Sequence, residues 1–361
     1  MAKPKVLFLL HMPPPLHGAG IVGQAIHDSA LVNGAFECRW INISTSSSIK
    51  DVQKWSPGKF FSFLKIYRRF KRTVKSFSPD WAYLTPSPSR AGCMKNNLMV
   101  RFLNRKDVKV VMHLHNTGYS ARPDKSLHEL FDGTRVILLS ERLYPDIGHV
   151  VSREQVSICP NGIDVPLIPR HDRAGAEPHV LFLSNLLRSK GVEDFLDVAS
   201  ALKSRGLRFK CTMVGAESAD YSRKSLEAEI ASHSLGDIVS YSGMLVGAEK
   251  DRVLSESDIL LYPSRDDAFP LVILEAMAAS LPVVVTNVGG IADEVTDGVT
   301  GFVCKAGDVK SLAEAVGRLV EDSALRLSMG KAGHEKYLSV FTAAAFEKRI
   351  TETLCSIFQS S

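Results

Sequence analysis

The chain has 361 residues, 45% of them hydrophobic and 23% charged. That length exceeds what one hydrophobic core usually serves, and that composition excludes an intrinsically disordered chain, so two globular domains are expected. The net charge of +5 is uneven: residues 1–165 hold 23 Lys and Arg against 12 Asp and Glu, and the remainder 21 against 27, so the first half suits an anionic partner.

From the N-terminus, Lys3-Pro4-Lys5 leads into the apolar run 6–10, which is too short for a signal-peptide core and is followed by prolines. No apolar stretch approaches the length that crosses a bilayer. Six scattered cysteines form no metal-like spacing, which points to a reducing, cytoplasmic setting. Strands in the first half are expected at 5–10, 36–43, 81–84, 108–113, 135–139 and 156–159. After the first of these come His17, Gly18, Ala19 and Gly20, and glycines there let backbone approach a ligand closely. The serine-rich patch 44–48 reads as a loop. Residues 59–77 carry seven Lys and Arg and no acid, with apolar positions 60, 63, 64, 67, 70, 74 and 77 near one helical stripe. Two readings stay open: a basic amphipathic helix on an anionic membrane surface, or a core helix with a solvated basic face. His113 and His115 end the fourth strand, His113 as a packed strand residue.

In the second half strands are expected at 179–184, 209–214, 238–241, 258–262, 282–286 and 301–304. Many are continuous apolar runs, such as Val283-Val284-Val285, which suits strands covered on both faces of a parallel sheet. Strand-helix alternation then gives a doubly wound α/β fold in each half. The expected divisions are a first Rossmann-like domain over 1–166, a proline-rich linker over 167–178, a second domain over 179–342, and a C-terminal helix over 343–361 that crosses back to the first. Two such domains facing each other imply a cleft, and such sheets bind ligands beyond the carboxyl ends of their strands.

The chemistry concentrates after the strand at 258–262. Arg265, Asp266 and Asp267 form a polar loop, and a helix is expected over 269–279 that is apolar apart from Glu275. A loop entering a helix offers backbone N–H groups to an anion, and Asp267 and Glu275 offer carboxylates to hydroxyls, a combination that suits a nucleotide-sugar. The alternative is structural: Asp267 caps the helix and Glu275 pairs with an internal base.

With these residues in place, the segment resembles the E-x7-E region of glycosyltransferase family 4, the large retaining family with a GT-B fold. Glu275 matches the second Glu, which the resemblance assigns to the donor ribose. Asp267 stands for the first, assigned to the donor sugar, one methylene shorter. Phe269-Pro270-Leu271-Val272 fits a frequent variant of the intervening stretch, and these four residues are donor-side positions by the same resemblance. Residues 184–191 are similar to the family's G-R-L-x-x-x-K-G loop around the diphosphate. Lys190 and Gly191 match, Asn185 replaces the usual Arg, and Arg188 offers a second charge. Pro160-Asn161-Gly162-Ile163-Asp164 resembles the family's turn before the linker, and Gly289-Gly290-Ile291 and Glu294 fall in register with loop positions around the donor. In the first half the resemblance puts Gly18 and Gly20 over the donor phosphates and acceptor, and His115 near the reacting sugar carbon.

The resemblance implies a retaining transferase that moves sugar from a nucleoside-diphosphate sugar to a glycan or lipid-linked acceptor, in bacterial polysaccharide or lipopolysaccharide assembly. His115, Asp267 and Lys190 would be catalytic. No cofactor or metal is expected, because no D-x-D site or His/Cys cluster occurs. Expected partners are the donor, the acceptor and an anionic membrane surface through 59–77, with no nucleic acid. The setting is cytoplasmic, extending to the inner face of the membrane. A sugar-nucleotide epimerase on the same fold and a non-catalytic sugar-nucleotide-binding module remain alternatives.

Overall fold

A computed structural model describes residues 2–14, 18–44, 57–121, 125–166 and 176–359. His17, most of the serine patch (45–48) and most of the expected linker (167–175) lie outside the described residues. The chain divides into two compact units, residues 1–163 with 343–361, and residues 164–342.

The first unit holds one parallel sheet of six strands: β1 Lys5–Leu10, β2 Glu37–Asn42, β3 Trp81–Leu84, β4 Lys109–Leu114, β5 Arg135–Leu138 and β6 Val156–Ile158. Their spatial order is β2-β1-β3-β4-β5-β6. β1 and β3 are buried almost throughout, because helices cover both faces of a doubly wound sheet. The helix Pro57–Phe77 turns Phe63, Phe70, Val74 and Phe77 of its apolar stripe into this core and leaves Lys65, Arg68, Arg69, Arg72 and Lys75 exposed. The stripe is thus largely core, and only its first turn, with Phe60 and the neighbouring Phe61, is apolar and exposed.

The helix Ala343–Gln359 belongs to this unit. Its buried face is Phe346, Ile350, Leu354 and Ile357, a 3.6-residue repeat. Phe358 stacks on Trp81 at 4.6 Å and meets Phe36 edge-on. Glu347 accepts hydrogen bonds from the Ser29 hydroxyl and the Leu31 N–H, and Arg349 donates to the Pro160 carbonyl.

The second unit repeats the plan with β7 His179–Leu183, β8 Lys210–Val214, β9 Val239–Gly243, β10 Ile259–Tyr262, β11 Val283–Thr286 and β12 Gly301–Cys304. All pairs are parallel, in the order β12-β11-β10-β7-β8-β9. All twelve strands fall where the apolar runs predict them, within one or two residues at each end. Two six-stranded parallel sheets with flanking helices make this a two-domain α/β protein of GT-B type. No helix among the described residues is long and apolar enough to cross a membrane.

Candidate functional site

A doubly wound sheet opens a crevice where its strand order reverses, because the loops after the two central strands run in opposite directions. In the second sheet that point lies between β7 and β10. The loop after β7 is 184–191 and the loop after β10 is 263–270, so both charged loops singled out in the sequence leave the sheet at one place.

Close backbone packing fixes the two loops together. Gly191 has φ +76°, and a Cβ on it would stand 2.0 Å from the Pro263 carbonyl oxygen, so only glycine lets the loops meet. The Ser189 carbonyl accepts hydrogen bonds from the N–H groups of Arg265 (2.8 Å) and Asp266 (3.2 Å). Arg265 forks onto Asp194 at 2.8 and 2.6 Å, and that carboxylate is 1% exposed. This bidentate pair ties the β10 loop to the helix Val192–Ser204.

The result is a fixed cation. Lys190 Nζ donates to Asp267 Oδ2 at 2.6 Å and to the Asp266 carbonyl at 2.8 Å. The buried Tyr262 hydroxyl donates to the same Oδ2 at 2.6 Å, and Oδ1 accepts from the Ala268 N–H at 2.9 Å. Burial first, then the Asp267 charge, pushes the Tyr262 phenol well above its ordinary value, so it stays a proton donor at neutral pH. From beyond β11, Gly289 (φ +51°) presses so close that a Cβ would stand 1.8 Å from the Asp267 carbonyl oxygen. Asp267 is therefore oriented from three sides and does not cap the following helix.

That helix is Leu271–Ala278, two residues shorter at its start than the pattern predicts, because Pro270 is extended (φ −76°, ψ 117°) and acts as the N-cap. Its first N–H groups, of Leu271 and Val272, precede any intrahelical bond. Leu271 and Val272 are half-buried, while Phe269 is a core side chain packed edge-on to Phe341, so Phe269 has only backbone to offer a ligand. Glu275 is half-buried, and its Oε1 accepts from Lys250 Nζ at 2.7 Å. Lys250, on the helix Ala248–Glu256, is the internal base that the structural alternative required.

The remaining loop residues are partly engaged. Asn185 Oδ1 accepts from the Ala216 N–H at 3.3 Å. The Arg188 guanidinium is exposed, paired with Glu193 and 5.5 Å over the Tyr221 ring.

Sequence reasoning assigned Glu294 only a place in a loop. It is 0% exposed, and neither carboxyl oxygen has a hydrogen-bond partner among the described residues. Burial, with Asp267 adding to it and Lys336 opposing, pushes its carboxyl well above the usual range. Neither Lys250 nor Arg265 was assigned a partner from the sequence.

In the first sheet the order reverses between β1 and β3. Gly18 and Gly20 begin the helix Gly18–Asp28 that follows β1, with Gly20 buried. His113, inside β4, is fully buried, bonds the Tyr83 hydroxyl through Nδ1, and is held well below the usual imidazole value by burial. It is a packed, neutral strand residue. His115 stands just past the end of β4, half-buried, its ring 4.1 Å from that of His113. Asp146 steadies the following turn by accepting from the N–H groups of Gly118, Tyr119 and Ser120 at 2.9, 3.1 and 2.9 Å. Among the described residues no three His, Cys, Asp or Glu side chains gather as a metal-binding group.

The second unit thus presents two oriented ammonium–carboxylate pairs, Lys190 with Asp267 on the loops after β7 and β10 and Lys250 with Glu275 on the helix that follows, groups equipped for an anion bearing hydroxyls.

A family model described as Glycosyl transferases group 1 matches residues 167–336, nearly the whole second unit. The D-inositol 3-phosphate glycosyltransferase of Paenarthrobacter aurescens (strain TC1) is 30% identical over 191 residues, 49% of this chain and 46% of that protein. The capsular polysaccharide biosynthesis glycosyltransferase CapM of Staphylococcus aureus is 25% identical over 171 residues, 45% of this chain and 42% of its own. The chain therefore spans less than half the length of each of these curated relatives. Among solved structures, sucrose-phosphate synthase from Thermosynechococcus elongatus superposes with a TM-score of 0.79 at 21% identity, over 99% of this chain and 100% of that one. Anabaena Alr3699/HepE in complex with UDP-glucose gives 0.73 at 18% identity, over 98% and 99%. At those identities the structures speak for the fold alone.

Proposed function

We propose that the chain is a retaining glycosyltransferase of family 4 type that transfers sugar from a nucleoside-diphosphate sugar to a glycan or lipid-linked acceptor in polysaccharide or lipopolysaccharide assembly. The observation that carries this reading is the Lys190 ammonium, 2.6 Å from Asp267 at the switch point of the second sheet, with Glu275 on the helix that starts there. Lys190 and the N–H groups of Leu271 and Val272 would take the diphosphate, Glu275 the ribose, and Asp267 the sugar hydroxyls. Asn185, Arg188, Phe269 and Pro270 would line the donor, Phe269 and Pro270 through backbone. In the first unit the resemblance assigns Gly18 and Gly20 to the diphosphate and acceptor and His115 to the reacting carbon. The resemblance supports these roles; the relatives named for sugar transfer and the fold neighbour solved with UDP-glucose support only the coarser reading of a nucleotide-sugar donor.

In the reaction the bond from the sugar carbon to the β-phosphate oxygen breaks and its electron pair leaves with the diphosphate. The acceptor oxygen bonds the same face of that carbon and passes its proton to the departing phosphate oxygen. Lys190 and the helix N–H groups stabilise the charge that develops there, a role preorganised dipoles and cations fill without a metal ion. The test is incubation of the full chain with a panel of nucleotide-sugars and membrane-derived acceptors, with and without EDTA. Transfer with retained anomeric configuration, unaffected by EDTA, is expected. Isomerised donor without transfer would favour the epimerase reading, and binding without turnover the non-catalytic one.

We further propose that the first unit meets an anionic membrane surface. Phe60 and Phe61 are 53% and 68% exposed beside the basic face of the helix Pro57–Phe77. Basic residues near such an apolar tip favour anionic headgroups. Flotation should depend on anionic lipid and weaken in Phe60→Ser/Phe61→Ser; equal flotation with neutral vesicles would refute it.

A further inference from the structure

The ion pair between Lys250 and Glu275 is shielded from solvent, with side chains 27% and 13% exposed, and joins two helices at the carboxyl edge of the second sheet. A shielded ion pair stabilises a fold little more than an apolar pair of the same shape, so helix packing alone is a weak reason for it. The other basic residue of the helix Ala248–Glu256, Arg252, is exposed and pairs with Glu256 on its own helix, so Lys250 alone turns inward.

The two side chains are chemically complementary to a vicinal diol. Each hydroxyl both donates and accepts one hydrogen bond or more. A carboxylate only accepts, with about four lone-pair positions, and an ammonium only donates, with three N–H groups. One Lys250 N–H goes to Glu275 Oε1; among the described residues Oε2 and the remaining N–H groups have no other partner, so Oε2 can receive hydroxyl protons and the N–H groups can satisfy hydroxyl oxygens. Glu275 by itself would leave each hydroxyl oxygen unsatisfied on leaving water.

We propose that Lys250 and Glu275 act together as the receptor for the ribose cis-diol of the nucleotide, and that Lys250 sets the preference for ribonucleotides over deoxyribonucleotides. This rests on the donor reading above and adds to it a specificity residue. Lys250 touches the ribose oxygen and at the same time orients the carboxylate.

The experiment measures binding of UDP, with ADP and GDP in parallel, and of the 2′-deoxy form of each, to the full chain by calorimetry. The wild type is expected to prefer the ribonucleotide by about tenfold or more, the scale of a lost hydrogen bond to a charged group. Lys250→Met should reduce the preference to about threefold or less, the larger loss falling on the ribonucleotide, which has one more hydroxyl for the ammonium to satisfy. Lys250→Arg, which keeps the charge and the donors, should restore a preference above that of Lys250→Met. Glu275→Gln should erase it as well, and an unfolding curve for each variant keeps a folding defect from passing as a loss of preference. A wild-type preference retained in folded Lys250→Met overturns the inference and leaves the donor reading standing. A wild type that binds no nucleoside diphosphate overturns both.

Discussion

Asp267→Asn should separate binding from transfer. In the structure Lys190 spends one N–H on the Asp266 carbonyl and one on Asp267 Oδ2, at 2.8 and 2.6 Å. A diphosphate that takes Lys190 must therefore compete with a carboxylate already bound to it. A hydrogen bond to a charged partner contributes about 1.5–3 kcal/mol. The side chains are 20% and 17% exposed, so water weakens the pair somewhat and the lower part of that range applies. Removing the carboxylate charge should then tighten binding of a free nucleoside diphosphate by about tenfold, the equivalent of 1.4 kcal/mol. The amide oxygen still accepts from Tyr262, while its NH2 loses the bond that Oδ1 accepted from the Ala268 N–H, and the amide serves sugar hydroxyls less well. Transfer should fall by about a hundredfold, or 2.7 kcal/mol of barrier. Calorimetry with UDP at low and high salt reads the first effect, and the gain should shrink as salt rises. Unchanged or weaker diphosphate binding in a folded Asp267→Asn would refute competition for Lys190.

Three further outcomes follow from the same geometry. Tyr262→Phe removes the 2.6 Å bond to Asp267 and should lower the unfolding free energy by about 1.5 kcal/mol in urea; an unshifted midpoint would mean the bond is not made. Gly191→Ala puts a Cβ 2.0 Å from the Pro263 carbonyl at φ +76° and should cost more than about 2 kcal/mol, with loss of diphosphate binding; wild-type stability would contradict the loop packing. Glu294, raised well above the usual 4.5 by burial, keeps its proton in the folded chain where an unfolded glutamate has lost it. The folded state then binds more protons than the unfolded one above that value, so this group's contribution to stability falls as pH rises until the folded carboxyl ionises. Glu294→Gln removes the effect, so its urea midpoint should gain on the wild type as pH rises above the ordinary glutamate range, and parallel profiles would argue against a neutral Glu294.

The strands were legible because each is a continuous apolar run bounded by turn residues, and burial on both sheet faces requires such runs. The helix after Asp267 was legible in kind but not in its start, since Pro270 can sit inside a first turn or, as here, ahead of it. Asp267 and Lys190 were singled out separately, but their bond spans 77 positions and exists only because β7 and β10 are neighbours. Glu275 stood out as the one charge on an apolar helix, but nothing local named Lys250 as its partner, nor Asp194 as that of Arg265; these pairs span 25 and 71 positions. Glu294 was hidden for the opposite reason. It has no hydrogen-bond partner among the described residues, and no local pattern marks an acid that the fold will close over. In the helix Pro57–Phe77 the stripe is core in its later turns, as one of the two readings had it, and exposed at Phe60.

The most direct test of the donor site is calorimetry of the wild-type chain, Lys190→Ala and Glu275→Ala against UDP, ADP and GDP. One of the three nucleotides should bind the wild type. Lys190→Ala should weaken it by at least about tenfold through the phosphates, with a reduced salt dependence, and Glu275→Ala by a comparable factor through the ribose. A wild type that binds none of them, or folded variants that bind as the wild type does, would contradict a nucleotide-sugar site at the β7–β10 switch point.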